Sequence, residues 1–222
     1  MLERTVSAIT LTLLLIGMLT LAFNIQSVRA SGTIYIRADG SIDPDTAPIS
    51  SVDNITYMFT GNTDYSLVIS RDNIVVDGVD YVIQWTEGRG ITLSGRNNIT
   101  IKNMEIKGFH WGIWLEKSLN INIFGNNIQG TYTYGKGDGG IMLSSYSNHN
   151  NIFGNNITKS YYGIELSFSS NNSISENNIT NHYYGIMLDR SSNNSMSGNY
   201  VRGLGGGIYL IDSYNNRINE SL

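Results

Sequence analysis

Residues 163–186 read GIELSFSSNNSISENNITNHYYGI, and this stretch begins and ends with the same dipeptide of glycine and isoleucine. The dipeptide recurs along the chain at steps of 22, 28, 23, 22 and 22 residues. Its occurrences are Gly90-Ile91, Gly112-Ile113, Gly140-Ile141, Gly163-Ile164, Gly185-Ile186 and Gly207-Ile208. A nearly fixed period in the twenties is typical of a solenoid, in which every repeat forms one turn of the scaffold.

Each repeat contains three short apolar segments. In the repeat that starts at Ile164, Leu166 follows two residues later, and Ile174 and Ile179 follow after 10 and 15 residues. The Ile-x-Leu pair has the period of two that is typical of a strand, and no segment has the i, i+3, i+4 spacing of a helix. The sequence therefore predicts an all-β solenoid, a parallel β-helix with three strands per coil.

Asparagine marks one corner of the predicted coil. The members of this set each lie three residues after an apolar residue of the second strand: Asn126, Asn155, Asn177 and Asn199. Buried backbone groups at a bend need hydrogen-bond partners, and stacked amides can bond to the backbone of the next turn. We therefore expect a structural asparagine ladder, which is interrupted at Met104 in an earlier coil.

Composition limits the possible functions. The chain has 222 residues, a formal net charge of −4 and no cysteine. Disulfides and thiol chemistry are therefore excluded, and nucleic-acid binding has no electrostatic support. Residues 1–30 are predicted to be a signal peptide or an N-terminal anchor, because a long apolar or hydroxylated stretch precedes a small-x-small site at residues 28–30.

The rest of the chain divides into two segments. Residues 31–66 contain strand-like stretches that do not fit the repeat, and we expect them to form an N-terminal β cap. Residues 67–222 hold the β-helix repeats. No polar cap follows Ile218, so we expect either truncation of a longer chain at the C-terminus or end-to-end self-association through the last coil.

The repeats resemble a known family. The resemblance is carried by residues 171–179 (NNSISENNI), 183–188 (YYGIML) and 193–199 (NNSMSGN). These motifs are similar to the right-handed parallel β-helix repeats of the pectin-lyase-like fold, in the branch named for NosD, the periplasmic copper-binding protein. The resemblance implies a right-handed parallel β-helix and a secreted, periplasmic or cell-surface location. For function it implies carbohydrate binding, sugar hydrolysis or assistance in copper-enzyme maturation, because one fold hosts unrelated activities.

Candidate catalytic and metal-binding residues are scattered. The acids Asp138, Glu165, Asp189 and Asp212 form no adjacent pair of the kind that glycoside hydrolysis requires. The histidines His110, His149 and His182 do not share a coil position, whereas a copper site needs converging ligands. We therefore predict ordinary surface charges, no catalytic residue, no metal site and no cofactor.

The middle residue of each Ile-x-Leu strand should point outward, because side chains alternate along a strand. These residues, which we call the outer column, are Thr92, Trp114, Met142, Glu165, Met187 and Tyr209. An exposed row of aromatic and apolar side chains can mark a binding face, and aromatic faces suit sugar rings. We predict ligand binding by Trp114, Met142, Glu165, Met187 and Tyr209.

The long step in the repeat places extra residues between Ile128 and Ile141. This predicted insertion loop contains Tyr132, Tyr134 and Lys136. Insertions in repeat proteins often lie on the binding side, although a neutral loop is also tolerated at low cost.

These observations favour a non-enzymatic module outside the cytoplasm that binds carbohydrate or has a structural role. The alternatives are a polysaccharide-active enzyme, lyase- or hydrolase-like, whose site is not recognisable in this sequence or is missing from it, and a NosD-like accessory of copper-enzyme maturation. The expected partners are a polysaccharide or cell-surface glycan and a second copy of the chain, without nucleic acid. The membrane is a partner only if the N-terminal segment is retained.

Overall fold

The computed structural model describes residues 32–130 and 137–219. Within these ranges all the elements of secondary structure are β-strands. No helix among the described residues is long and apolar enough to cross a membrane. The predicted N-terminal segment, residues 1–30, lies outside the described residues, as do Tyr132, Tyr134 and Lys136 of the predicted insertion loop.

The strands follow one another at short intervals along the described chain. In order they are β1 (Gly32–Ile36), β2 (Ile42–Asp43), β3 (Ile49–Ser50), β4 (Thr56–Phe59), β5 (Tyr65–Ile69), β6 (Ile74–Asp77), β7 (Val82–Gln84), β8 (Arg89–Ser94), β9 (Asn97–Lys102), β10 (Glu105–Lys107), β11 (Trp111–Glu116), β12 (Leu119–Phe124), β13 (Asn127–Gln129), β14 (Gly139–Ser144), β15 (Asn151–Phe153), β16 (Asn156–Ser167), β17 (Ser173–Ser175), β18 (Asn178–Asp189), β19 (Ser195–Ser197), β20 (Tyr200–Arg202), β21 (Gly206–Ile211) and β22 (Arg217–Asn219).

The strands wind into a right-handed parallel β-helix of about 7 turns, as predicted. Each coil contributes one strand to each of three faces: β8, β9 and β10 make one coil, and β11 pairs in parallel with β8 to begin the next. The first face holds the Gly-Ile strands β8, β11, β14 and β21, and the second face is a 9-stranded sheet. The third face holds β7, β10, β13 and β20. The long strands β16 and β18 turn the corner between the third and first faces, so these two faces form one 13-stranded sheet.

The predicted N-terminal strands stack on the first regular coil. Strand β1 pairs in parallel with β5, and β4 pairs in parallel with β6, so both extend the sheets of the solenoid. The short strands β2 and β3 differ, because they pair antiparallel with β1 and β4.

The interior consists of vertical columns of aliphatic side chains. Ile164 pairs with Ile186, which pairs with Ile208, and Met196 lies between Ile174 and Ile218 on the second face. Ile164, Ile174, Ile186 and Met196 are fully buried, as expected. The equivalent residues of the last described coil are less buried, because Ile218 is 45% exposed and Ile208 is only partly buried. Among the described residues no further strand covers β21 and β22, so their inward side chains lack neighbours on one side.

The asparagine ladder is present at the predicted corner. The side-chain oxygens of Asn155, Asn177 and Asn199 accept hydrogen bonds from the backbone N–H groups of Asn126, Asn155 and Asn177 respectively, each at 3.1 Å. Their side-chain N–H groups donate to backbone carbonyls of neighbouring coils, for example from Asn177 to Ile152 at 3.0 Å. The ladder continues to Met104, whose backbone N–H donates to Asn126.

Two further ladders, which were not predicted, lie at the corner between the first and second faces. One is formed by Asn150, Asn172, Asn194 and Asn216. In this ladder the side-chain oxygen of one asparagine accepts a hydrogen bond from the backbone N–H of the asparagine in the preceding coil. The other is formed by Ser118, Ser147, Ser169, Ser191 and Ser213, whose hydroxyls accept backbone N–H groups in the same way. Steps of 22 residues between most members were a signal for both ladders.

Replacing Asn177 with Leu should lower the free energy of unfolding by about 1–3 kcal/mol, because the buried N–H of Asn155 and the carbonyl of Ile152 lose their partners. The measurement is chemical denaturation followed by far-UV circular dichroism. Asn178→Leu is the matched control, because Asn178 is the next residue and its side chain is exposed. Equal losses in the two variants would contradict a role of the ladder in stability.

A buried histidine interrupts the interior beside the third face. His182 is fully buried, and neither ring nitrogen has a hydrogen-bond partner in the described chain. The turn above packs closely on the ring, since a Cβ on Gly203 would lie 2.3 Å from Cε1 of His182. Burial lowers the pKa of His182 below its ordinary value of 6.5. Phe109 is buried at the equivalent position, four residues before Ile113.

The stability of the protein should therefore fall as the pH drops below 6.5, because the unfolded chain takes up a proton there that the folded His182 does not. His182→Phe should reduce this loss when thermal unfolding midpoints are measured from pH 7.5 down to pH 5. The phenyl ring of the variant is larger than imidazole and can lower the midpoint at every pH. This constant loss does not affect the result, because only the change of the midpoint with pH is compared. His149→Gln, at an exposed position, is the control and should behave like the wild type. Identical pH profiles for all three proteins would contradict the prediction.

Candidate ligand-binding surface

The outer column forms a continuous row on the first face. In register, Trp114 pairs with Met142, Met142 with Glu165, Glu165 with Met187, and Met187 with Tyr209. Exposure along this row is uneven, because Tyr209 is 48% exposed whereas Met142 is only 8% exposed. Trp114, Glu165 and Met187 are half-buried. The row is therefore partly covered by neighbouring side chains.

A second row of side chains runs beside the outer column. Trp111, Tyr162 and Tyr184, which we call the ring column, directly precede the glycine of a Gly-Ile pair. Tyr162 and Tyr184 are stacked with their ring centroids 5.6 Å apart. Trp111 reaches over Gly139 to stack on Tyr162 at 6.2 Å. A Cβ on Gly139 would lie 2.1 Å from the Trp111 ring, so only glycine leaves room for this contact.

The ring column presents edges to solvent and not open faces. The planes of Trp111 and Tyr162 are within 7° of parallel, and those of Tyr162 and Tyr184 are within 13°. Each ring therefore covers the face of its neighbour. Tyr161 and Tyr183 stack on one another at 5.1 Å and contact Tyr162 and Tyr184 edge-on.

The tyrosine hydroxyls of the ring column are available as hydrogen-bonding groups. Neither the Tyr162 nor the Tyr184 hydroxyl makes a hydrogen bond within the described chain. Burial, followed by the charge of Glu165, raises the pKa of Tyr162 to about 12, so the hydroxyl stays protonated at neutral pH. A neutral phenol can both donate and accept a hydrogen bond.

Trp114 is occupied by other contacts. The Arg89 guanidinium lies 3.6 Å from the centroid of the Trp114 ring, and Trp111 meets the same ring edge-on at 5.6 Å. The indole N–H of Trp114 is buried and has no hydrogen-bond partner in the described chain. Trp114 therefore has one ring face covered by the Arg89 guanidinium and packs against Trp111.

Glu165 differs from the ordinary surface charge that the sequence predicted. Burial, and to a smaller extent the negative charge of Asp189, raises the pKa of Glu165 to about 7. Glu165 forms no ion pair within the described residues, whereas Asp189 lies 3.6 Å from the Arg190 guanidinium. The two acids lie on adjacent strands and are offset by two residues, because Ser167 pairs with Asp189. A carboxyl group that is half-protonated near pH 7 can give or take a proton.

The ring column was not predicted, although the sequence contains a signal for it. An aromatic residue precedes the Gly-Ile pair at Trp111, Tyr162 and Tyr184, and a second aromatic precedes two of these. The raised pKa of Glu165 had no such signal, because it depends on burial by side chains of other coils.

Comparison with known proteins identifies the family. A family model described as periplasmic copper-binding protein (NosD) matches residues 31–159 and 135–220. The chain belongs to the NosD family. This description places the family in the periplasm. No curated protein matches the chain.

Two solved structures are similar to this NosD-family chain in their backbone course. The endopolygalacturonase I of Stereum purpureum, complexed with two galacturonate molecules, is 15% identical with a TM-score of 0.49, over 75% of this chain and 68% of that chain. A mutant of the periplasmic alginate epimerase AlgG is 12% identical with a TM-score of 0.47, over 86% of this chain and 67% of that chain.

The described histidines and acids of this NosD-family chain do not cluster as metal ligands. In residues 32–130 and 137–219 no group of three or more His, Cys, Asp or Glu side chains could hold a metal ion. His182 has free ring nitrogens, but its close neighbours include Gly185 and Gly203, and the inward neighbour in register is Ser160. Gly185 and Gly203 have no side chain, and the hydroxyl of Ser160 is not a ligand that copper favours.

Proposed function

We propose that the first face of this NosD-family protein binds polysaccharide, and that the protein is a non-enzymatic glycan-binding module of the periplasm or cell surface. The single observation that carries the proposal is the ring column, with Trp111, Tyr162 and Tyr184 stacked along the helix axis. Its partly buried, rigid rings lose little conformational freedom on binding, and aromatic residues of this kind are enriched at binding sites.

The binding mode follows from the edge-on rings. Tyr162 and Tyr184 lie in register on successive coils, and their ring centroids are 5.6 Å apart. Their hydroxyls, which make no hydrogen bond within the described chain, can replace hydrogen bonds to water with hydrogen bonds to the hydroxyls of successive sugar units. Half-buried Met187 and the exposed Tyr209 beside them supply apolar surface for the sugar carbons.

The variant Tyr162→Phe with Tyr184→Phe should bind polysaccharide about tenfold more weakly than the wild type, because each lost hydrogen bond contributes about 0.5–1.5 kcal/mol. Affinity electrophoresis in gels that contain β-glucan, arabinoxylan, polygalacturonate or alginate measures this. Tyr146→Phe makes the same change at a side chain that is 67% exposed outside the ring column, and should bind like the wild type. Absence of retardation in every gel, or equal retardation of all variants, would refute the proposal.

A second candidate function is supported by Glu165. A carboxyl group with a pKa of about 7 beside an ion-paired Asp189 has the protonation behaviour of a general acid–base in polysaccharide cleavage or epimerisation. The test is an assay for new reducing ends or altered sugar configuration on the same polysaccharides. Activity that is lost in Glu165→Gln, without loss of binding in the gels, would replace the non-enzymatic proposal. Binding of polysaccharide without any turnover would support the non-enzymatic proposal.

A further inference from the structure

A separate cavity lies at the corner between the third and first faces. Its volume is about 660 Å³, which is in the range of sites for small molecules. The side chains that line it include Lys159, Thr180, Asn181, Tyr200, Arg202 and Leu204. The ring column is not part of this lining.

The repeat brings the polar side chains of the cavity together from three coils. Lys159 and Asn181 lie where β16 and β18 turn from the third face to the first face. Both take left-handed backbone conformations there, with φ of 54° and 55°. In register, Thr180 pairs with Arg202. Val201 packs inward against the core, so Tyr200 and Arg202 on either side of it point outward together.

The cavity is positively charged in a protein whose net charge is −4. Neither Lys159 nor Arg202 forms an ion pair within the described part of the chain. None of the lining residues is an acid. Lys107, on strand β10 of the third face, differs because it is paired with Glu105 at 2.6 Å. Two unpaired cations that line one cavity favour an anion with about two negative charges.

Tyr200 adds an apolar wall to this charged cavity. Its side chain is 45% exposed and lies beside Arg202 on the same outward side of β20. A tyrosine ring can pack against a sugar ring while its hydroxyl remains hydrated. Thr180 and Asn181 supply neutral hydrogen-bonding groups at the same cavity, which suits hydroxyl groups of a ligand.

We propose that this cavity binds a phosphorylated sugar, with the phosphate held between Lys159 and Arg202 and the sugar ring packed against Tyr200. A phosphate monoester carries a charge of about −1.5 to −2 at neutral pH, which matches the two cations. The planar guanidinium of Arg202 can hold two phosphate oxygens at once, and Lys159 adds a point charge. The proposal does not depend on glycan binding by the first face.

Isothermal titration with glucose 6-phosphate, glucose, galacturonate and inorganic phosphate tests the proposal. Glucose 6-phosphate should bind most tightly, and neutral glucose should not bind measurably. Arg202→Gln and Lys159→Gln should each weaken glucose 6-phosphate binding about tenfold or more, as expected for a charged hydrogen bond. Lys107→Gln removes a charge from the same face outside the cavity, and should leave the affinity within about twofold, as expected for a screened distant charge.

Tyr200→Ala separates a sugar-phosphate site from a general anion site. It should weaken binding of glucose 6-phosphate severalfold and leave that of inorganic phosphate unchanged. Inorganic phosphate or galacturonate binding as tightly as glucose 6-phosphate would overturn the proposal. Unchanged affinity in Arg202→Gln, or the absence of binding by glucose 6-phosphate, would also overturn it. Thermal unfolding of each variant confirms that the coil remains folded.

Discussion

Replacing Ile186 with Asp is expected to prevent folding of the solenoid. Ile186 is fully buried between Ile164 and Ile208 in the inward column of the first face. An aspartate at this position would place a charge in an apolar column without a partner, at a cost of about 5 kcal/mol or more. Because each coil is stabilised mainly by its neighbours, the loss of one coil interrupts the stack on both sides. The measurements are the soluble yield, the far-UV circular dichroism spectrum and the thermal unfolding midpoint.

Ile211→Asp is the control for this prediction. Ile211 is 37% exposed, and it follows Asp189 in an outward column of the same face. The same chemical change should therefore shift the unfolding midpoint only slightly. A soluble Ile186→Asp protein with the wild-type spectrum and midpoint would show that the inward and outward positions have been assigned wrongly.

The fold could be predicted from the sequence because its information is local and repeated. The spacing of Ile164, Leu166, Ile174 and Ile179 defines the three strands of a coil, and the same spacing recurs in the neighbouring coils. The Asn177 corner could be predicted for the same reason, since a buried bend needs a side-chain partner in every coil. Periodicity thus determines which side chains are structural.

The candidate site could be predicted only in part, because it depends on contacts between side chains of different coils. The residues of the outer column lie in register, as the repeat implies, but the low exposure of Met142 could not be predicted, because it depends on side chains of neighbouring coils. The raised pKa of Glu165 likewise results from burial on a surface where alternation alone predicts a solvated charge. The free charges of Lys159 and Arg202 come together only because corners of different coils are superimposed.

The glycine of the Gly-Ile pair shows how tightly the coils are stacked, and replacing one with alanine should be strongly destabilising. A Cβ on Gly163 would lie 2.3 Å from Cγ2 of the buried Ile179 and 2.4 Å from the backbone oxygen of Gly185. The oxygen belongs to the next coil and cannot rotate away, so the two coils would have to separate. We expect Gly163→Ala to lower the free energy of unfolding by about 3 kcal/mol, as for other overpacked cores. Denaturant unfolding followed by circular dichroism measures this loss.

Gly207→Ala provides a control at the same position of the repeat. A Cβ on Gly207 would meet no atom within 4 Å, because no described strand lies against that side of β21. The same substitution should therefore leave the free energy of unfolding within about 0.5 kcal/mol of the wild type, or raise it slightly by restricting the unfolded chain. If both variants are destabilised equally, the glycine is required for its backbone conformation. If only Gly163→Ala is destabilised, the Gly-Ile repeat exists because neighbouring coils leave no space for a side chain.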